Sequence, residues 1–309
     1  MDDHVLYEKD PLSHIARLTL NRPAKLNAMT LDMYERIVSC LDDVAEDDAI
    51  KVVILRGAGE NFTAGVDMAA VYNWYGPPDG DSATESNTNG PGTDGSVGKK
   101  RRPSQRRRLV VDRRTSHVYN RVIYHPKVTI TAVRGFALGG GLEFLMGSDI
   151  SVVGDDAKVG MPATRYLGPV LGDLHLFFHR LGPVLAKDLL LTGRIAPASE
   201  LAPLGVFTRF VPASEVDETA EELARQVARM PADGIVIAKE AYRLVEQSMG
   251  MALSEVSSYL LHAYGTNLHF EKDEFNFVQS RSSNDLAGTF DEAEQFYRGG
   301  SPDRGSSRQ

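Results

Sequence analysis

Two glycine-rich segments carry the strongest chemical suggestion in this chain. They are Asn61-Phe62-Thr63-Ala64-Gly65-Val66-Asp67 and Gly135-Phe136-Ala137-Leu138-Gly139-Gly140-Gly141-Leu142-Glu143. Each follows a strand-like run and precedes a helical one. Glycines there let the backbone approach a ligand closely. A helix that starts at such a turn offers unpaired N–H groups and a partial positive end. Two turns facing each other would hold one oxygen between two N–H donors. In such an oxyanion hole, one donor is worth about 2.7–4 kcal/mol to a reaction. Taken singly, each turn also reads as plain punctuation after a strand. Neither matches Gly-x-Gly-x-x-Gly or Gly-x-x-x-x-Gly-Lys-Ser/Thr, so a dinucleotide or phosphate loop is not supported.

Glu143 lies inside the apolar run Leu142-Glu143-Phe144-Leu145-Met146. A carboxylate buried there is costly without a role or a partner. Burial raises its pKa, which suits a general acid or base; the bland alternative is a structural ion pair. Asp173, in Leu171-Gly172-Asp173-Leu174-His175, opens a helix as an N-cap or as a second acid. His175 and His179 share one face of that helix.

The elements that must position these groups alternate. Ile15 to Leu20 reads as a strand, and Thr30 caps a helix with Leu31, Tyr34, Val38, Leu41 and Ala45 on one stripe. Lys51 to Leu55, Val128 to Val133, Asp149 to Val153 and Val206 to Val211 read as further strands. Helices are expected from Ser104 to Tyr124, from Gly140, and from Gly172 to Leu191 with a break at Gly182-Pro183. After Pro212 the pattern is helical over about 214–230, 234–248, 251–267 and 285–297. Strands alternating with helices, then a helical end, indicate α/β with a helical C-terminal region. Residues 76–104, rich in Gly, Ser, Pro, Asn and Asp, read as a mobile insertion. Residues 299–309 read as a disordered tail. Trp74 and Tyr75, just before the insertion, either line a pocket or pack their helix on the core.

The totals fit this picture. The chain has 309 residues, 42% hydrophobic and 25% charged, with formal net charge −8. That charge disfavours general binding to nucleic acid or anionic membrane. Cys40 is the only cysteine, which excludes an intrachain disulfide and a Cys-rich metal site. The start Met1-Asp2-Asp3-His4 lacks a secretory pattern, and no run reaches the ~18–20 apolar residues of a membrane span. A cytoplasmic location is expected, with no metal and no membrane.

Several motifs in order resemble the crotonase superfamily of enoyl-CoA hydratases, isomerases and relatives. They are Asn21-Arg22-Pro23-Ala24-Lys25-Leu26-Asn27-Ala28, Phe62 to Asp67, Gly135 to Glu143, Ser148-Asp149-Ile150, Leu189-Leu190-Leu191-Thr192-Gly193-Arg194, Ala202 to Val206 and Val211-Pro212. The resemblance spans roughly residues 5–270. It implies a spiral of ββα units over 1–212, holding the CoA and acyl site, and a helical trimerisation region over 213–298. It also implies an acyl-CoA thioester as substrate, a homotrimer or hexamer, and no cofactor beyond the coenzyme A of the substrate. The enolate would be held by the N–H groups of Val66 and Gly140. The CoA contacts would fall at Lys25, Leu26, Ala64, Asp67 and Gly139.

Hydratases of the superfamily carry two glutamates. Glu143 stands at the first position. In Lys158-Val159-Gly160-Met161-Pro162-Ala163-Thr164, Ala163 stands where the second is expected, and a one-residue slip gives Thr164. This departs from the hydratase pattern. Asp173 falls where some dienoyl-CoA isomerases and C–C bond hydrolases of the superfamily carry an aspartate. The resemblance implies an enoyl-CoA hydratase/isomerase-like lyase or isomerase with Glu143 as acid/base. A second reading is a C–C bond hydrolase of cyclic β-diketones, or a ring-cleaving acyl-CoA hydrolase, using Asp173. A third is a non-catalytic RNA-binding module built on Lys99, Lys100, Arg101, Arg102, Arg106, Arg107, Arg108, Arg113 and Arg114. That basic run also reads as a solvated face or as a contact for CoA phosphates.

Overall fold

The computed structural model describes residues 4–75, 104–168, 172–265, 268, 270–271 and 273–298. Apart from Ser104, the expected insertion and the basic residues Lys99 to Arg102 lie outside the described residues, as does the expected tail.

In chain order the strands are β1 (Val5–Asp10), β2 (Ile15–Leu20), β3 (Val52–Gly57), β4 (Val128–Val133), β5 (Phe136–Leu138), β6 (Ile150–Gly154), β7 (Lys158–Gly160), β8 (Ile195–Pro197) and β9 (Arg209–Val211). The α-helices are α1 (Leu31–Glu46), α2 (Val71–Trp74), α3 (Gln105–Ile123), α4 (Gly140–Gly147), α5 (Thr164–Leu167), α6 (Leu174–Thr192) and α7 (Ala198–Leu201). They continue with α8 (Val216–Ala228), α9 (Ala232–Ser248), α10 (Ser254–Gly265), α11 (Phe277–Ser283) and α12 (Leu286–Tyr297). No helix among the described residues is long and apolar enough to cross a membrane.

The main sheet runs β1-β2-β3-β4-β6-β9, parallel throughout except the β1–β2 hairpin. A smaller sheet, β5-β7-β8, stands beside it. The runs β4-β5-α4 and β6-β7-α5 therefore each send one strand to either sheet and then a helix. Both faces of the main sheet are covered, as a parallel sheet requires. Val53, Leu55, Val133 and Val153 face the layer that contains α1, α3 and α4. Ile15, Val52, Ile54, Ile130, Ala132 and Val152 face α8 through Val216, Ala220, Ala224 and Val227. Alternate residues of one strand thus enter different cores.

Local signals predicted several boundaries well. The Thr30 side chain accepts from Met33 N–H at the start of α1, and Ser104 accepts from Arg107 N–H at the start of α3. Gly182, at φ 70°, breaks α6 where Gly182-Pro183 predicts a break. Strand β1 escapes the pattern because most of its residues are polar and partly exposed. Strands β5, β7 and β8 have three residues each, too few to show a period.

Parallel pairing of Val52 to Leu55 with Val128 to Thr131 brings the C-terminal ends of β3 and β4 side by side. The two glycine turns that follow therefore leave the same edge of the sheet.

Candidate active site

The first turn is stitched to the second by a parallel bridge between Thr63 and Ala137. Thr63 N–H donates to Phe136 O at 2.8 Å, and Leu138 N–H donates to Thr63 O at 3.1 Å. The segment after β2 closes over the first turn. Asn27, in the left-handed region at φ 53°, donates its Nδ2 to Ala58 O and Asn61 O. Ala64 N–H donates to Leu26 O at 2.9 Å. Lys25, Leu26 and Ala64 are thereby gathered, with Lys25 and Leu26 exposed.

Val66 pairs with Met29 in a second parallel bridge. Met29 takes its bonds from the neighbours, donating to Gly65 O and accepting from Asp67 N–H. The N–H of Val66 itself therefore points to the other side. Gly140 is the first residue of α4, where no intrahelical acceptor exists. Among the described residues neither N–H has an acceptor. The turns touch here: a Cβ on Gly65 would lie 3.5 Å from Gly140 N and 2.7 Å from Leu138 O. Gly139, at φ 55°, donates its N–H to Gly160 O at 2.9 Å, so it shapes the turn and cannot offer that N–H to a ligand. Asp67 accepts from Arg22 at 3.0 Å and from Ala69 N–H, so its carboxylate is already engaged within the protein.

Glu143 sits one turn into α4 and is buried. No cation pairs with it among the described residues. Its Oε1 accepts from the Asp173 backbone N–H at 3.0 Å, and the Tyr119 phenol lies close enough to favour its ionised form. Burial, then the nearby Asp173 charge, pushes its pKa up to about 8. Asp173 is also buried, and burial pushes its pKa up to about 6. It occupies the N-cap position of α6 without a side-chain capping bond, and its Oδ1 has no hydrogen-bond partner among the described residues. Between these two values Asp173 is ionised while Glu143 keeps its proton. The site therefore holds one base and one acid near neutral pH.

The other candidates fall elsewhere. Thr164 donates its hydroxyl to Met161 O at 2.9 Å, and Ala163 packs partly buried against the core. His179 meets Met249 O at 3.0 Å, and His175 lies beside Gly250. Among the described residues His175 Nδ1 and Asp173 Oδ1 both lack partners, so they do not bond each other. Trp74 and Tyr75 pack rather than lead into solvent: Trp74 meets Tyr34 edge-on at 5.8 Å, and Tyr75 donates to Asp112 at 2.6 Å. Three arginines of the basic run on α3 are engaged. Arg108 stacks on Tyr75, Arg114 pairs with Glu35, and Arg107 reaches Trp74 O. A cleft of about 490 Å³ near Lys158, Arg165 and Arg194 shares no residue with this site. Its arginines already pair with Glu294, Asp188 and Glu200. Among the described residues no three His, Cys, Asp or Glu side chains are grouped to hold a metal ion.

Two site residues were not singled out from sequence as chemical groups, Tyr34 and Tyr119. Their hydroxyls lie 2.7 Å apart in the core. The available signal was a phenol on the apolar stripe of a helix, since a buried tyrosine hydroxyl needs a partner.

Known proteins match this architecture. A family model described as enoyl-CoA hydratase/isomerase matches residues 15–258. Enoyl-CoA hydratase EchA19 of Mycobacterium tuberculosis is 33% identical over 243 residues, covering 78% of this chain and 80% of that protein. The 1,2-epoxyphenylacetyl-CoA isomerase of Escherichia coli is 29% identical over 76% of this chain and 82% of its own length. The crystal structure of a probable enoyl-CoA hydratase from Mycobacterium thermoresistibile superposes with TM-score 0.70 at 26% identity, over 85% of this chain and 95% of that one.

Proposed function

Since this chain belongs to the enoyl-CoA hydratase/isomerase family, within the crotonase superfamily, we propose that it moves protons along the acyl chain of a CoA thioester. The observation that carries this reading is the pair Glu143 and Asp173: two buried carboxyl groups joined through the Asp173 N–H, each with its pKa raised by burial, beside two backbone N–H groups with no acceptor among the described residues. The thioester oxygen binds between the N–H groups of Val66 and Gly140. Lys25, Leu26 and Ala64 border the CoA. The coenzyme A of the substrate is the only cofactor the reaction needs.

On a β,γ-unsaturated thioester, ionised Asp173 takes the α-proton. The electron pair moves to the thioester oxygen as a dienolate, held by the two N–H donors. Protonated Glu143 then delivers its proton to the γ-carbon, and the double bond moves into conjugation. No atom is gained or lost, and the two carboxyls re-equilibrate their proton. Isomerisation fits this residue set better than hydration because Ala163 cannot activate water. A hydrolase reading that pairs Asp173 with a histidine is not favoured, since neither His175 nor His179 bonds it. An RNA-binding module draws no support from Arg107, Arg108 and Arg114, whose side chains are engaged within the protein.

Ile237, Leu244 and Val245 of α9 and Val256, Leu260 and Tyr264 of α10 leave large apolar side chains exposed. This exposure supports assembly as a trimer or a pair of trimers, which analytical ultracentrifugation tests.

The test of function is a panel of 2-enoyl-, 3-enoyl- and dienoyl-CoA thioesters with wild type and Glu143→Gln. Double-bond movement lost in the variant is the expected result. No turnover and no binding of any thioester would overturn the reading.

A further inference from the structure

Arg22 stands between β2 and α1, in a segment whose backbone closes on itself. Its N–H donates to Asn27 Oδ1 at 2.8 Å, and its carbonyl accepts from the N–H groups of Lys25 and Asn27 at 2.9 Å each. Its side chain reaches the oxyanion turn. One nitrogen, Nη1, donates to Ala28 O at 2.5 Å and to Asp67 Oδ2 at 3.0 Å. Ala28 precedes Met29, and Asp67 follows Val66. Met29 and Val66 form the bridge in which Met29 N–H donates to Gly65 O at 2.7 Å and Asp67 N–H donates to Met29 O at 2.9 Å. A single guanidinium nitrogen therefore fastens both sides of that bridge. The other Asp67 oxygen, Oδ1, accepts from Ala69 N–H at 3.0 Å, which ties the carboxylate to its own turn. The Arg22 and Asp67 side chains are only 15% and 16% exposed, so solvent screens this pair less than an open surface pair.

We propose, on the reading of the Val66 N–H as an oxyanion donor, that Arg22 is a positioning residue that aims this N–H through two peptide units in line. Ala28 O and Met29 N–H are the two ends of one peptide. Gly65 O and Val66 N–H are the two ends of the next. The carbonyl and N–H of a planar trans peptide point in opposite directions. A donor held on Ala28 O thus sets the Met29 N–H, and the Met29 N–H held on Gly65 O sets the Val66 N–H. The line runs from Arg22 Nη1 to Ala28 O, from Met29 N–H to Gly65 O, and from Val66 N–H to the thioester oxygen. Hydrogen bonds in such a chain polarise one another, so a cation at its far end strengthens the last donor as well as directing it. Asp67 holds the guanidinium at the head of the line.

The test reads the oxyanion donor directly. Butyryl-CoA labelled with carbon-13 at the thioester carbonyl is bound to the full chain, and its C=O stretch is followed by infrared difference spectroscopy. Hydrogen bonds to the carbonyl lower this frequency in the wild type. In Arg22→Met, which keeps the stem but neither charge nor donors, the band should rise toward the value of free butyryl-CoA. Turnover of the accepted thioester should fall in parallel, with kcat lower on the order of 10²-fold and KM little changed, as expected for a small misplacement of a reacting partner. Arg22→Lys keeps the charge at a shorter reach and should fall between the two in both readouts. If Arg22→Met does not fold, Arg22→Lys decides alone. A band as low in the variants as in the wild type overturns the proposal and leaves the oxyanion hole standing. A wild-type band already at the free value removes the hole itself, and the function proposed above with it.

Discussion

The backbone N–H of Asp173 donates to Glu143 Oε1 at 3.0 Å, while the side-chain oxygen Oδ1 of Asp173 has no hydrogen-bond partner among the described residues. One residue thus anchors the acid through its main chain and leaves its own carboxylate for other work. Gly172, just before it, makes this approach possible. At φ 81° it adopts a conformation costly for other residues, and a Cβ there would lie 2.8 Å from Glu143 Oε1.

Glu143→Gln should keep the fold, because the amide oxygen still accepts the Asp173 N–H. It removes the transferable proton. Turnover of the accepted thioester should fall on the order of 10²–10⁴-fold while its binding changes little. Steady-state kinetics and calorimetric titration with the same thioester check this. A tenfold or smaller loss of kcat would rule Glu143 out as acid.

Asp173→Asn separates base from anchor. The backbone bond to Glu143 persists, and only the charge is lost. Removing that negative charge lowers the Glu143 pKa from about 8, because the ionised form no longer meets a like charge. The pH profile of kcat should lose its acidic limb and its alkaline limb should move to lower pH. An unchanged profile would leave Asp173 as a purely structural residue.

Gly140→Ala puts a methyl group where the Tyr119 hydroxyl sits. The phenol must move, or the turn must open. Either change displaces an oxyanion donor, and kcat should fall about 10²–10³-fold. A parallel measurement of thermal stability distinguishes this from unfolding: the loss of kcat should far exceed any loss of folded protein.

Ala163 tests which reaction the site is built for. With no second glutamate, water addition to crotonyl-CoA should be slow in wild type. Ala163→Glu should raise it by roughly 10²-fold, the usual worth of a placed general base. Wild-type hydration already at a rate the variant cannot improve would contradict isomerisation as the main activity.

Stability should carry the mark of the buried acid. Glu143 rises from the ordinary 4.5 to about 8 on folding, so the native state binds more protons than the unfolded state between these values. Stability therefore falls as pH rises through that interval. Asp173, raised to about 6, acts in the same sense between its ordinary 3.8 and that value. Glu143→Gln removes the larger contribution. Its melting temperature should exceed that of wild type by a margin that grows from about pH 5 to about pH 8, by roughly 2–4 °C per kcal/mol. Calorimetry across this range checks the sign.

Much of the candidate site could be read in order along the chain. Gly139-Gly140-Gly141 and the helix after it are a local pattern, since a turn and a helix start are decided by adjacent residues. Glu143 stood out for the same reason, as one carboxylate inside an apolar run. The family motifs added Val66, whose N–H the Met29 bridge leaves turned outward. Asp67 and Gly139 were read as ligand contacts, yet both spend their polar groups on Arg22, Ala69 and Gly160. Such commitments depend on partners up to 45 residues away and leave no local trace.

By itself, then, the sequence determined the α/β alternation, the glycine turns and a carboxylate, Glu143, set inside an apolar run. These follow from hydrophobic period and backbone permissiveness, which act over a few residues. Only the tertiary structure decided what surrounds that acid. Packing of α3 and of the start of α6 on α4 brings Asp173 and the Tyr119 phenol to Glu143, and desolvation by that packing raises the pKa of an otherwise ordinary carboxylate. Burial and long-range pairing belong to the folded chain as a whole, so no window of sequence contains them.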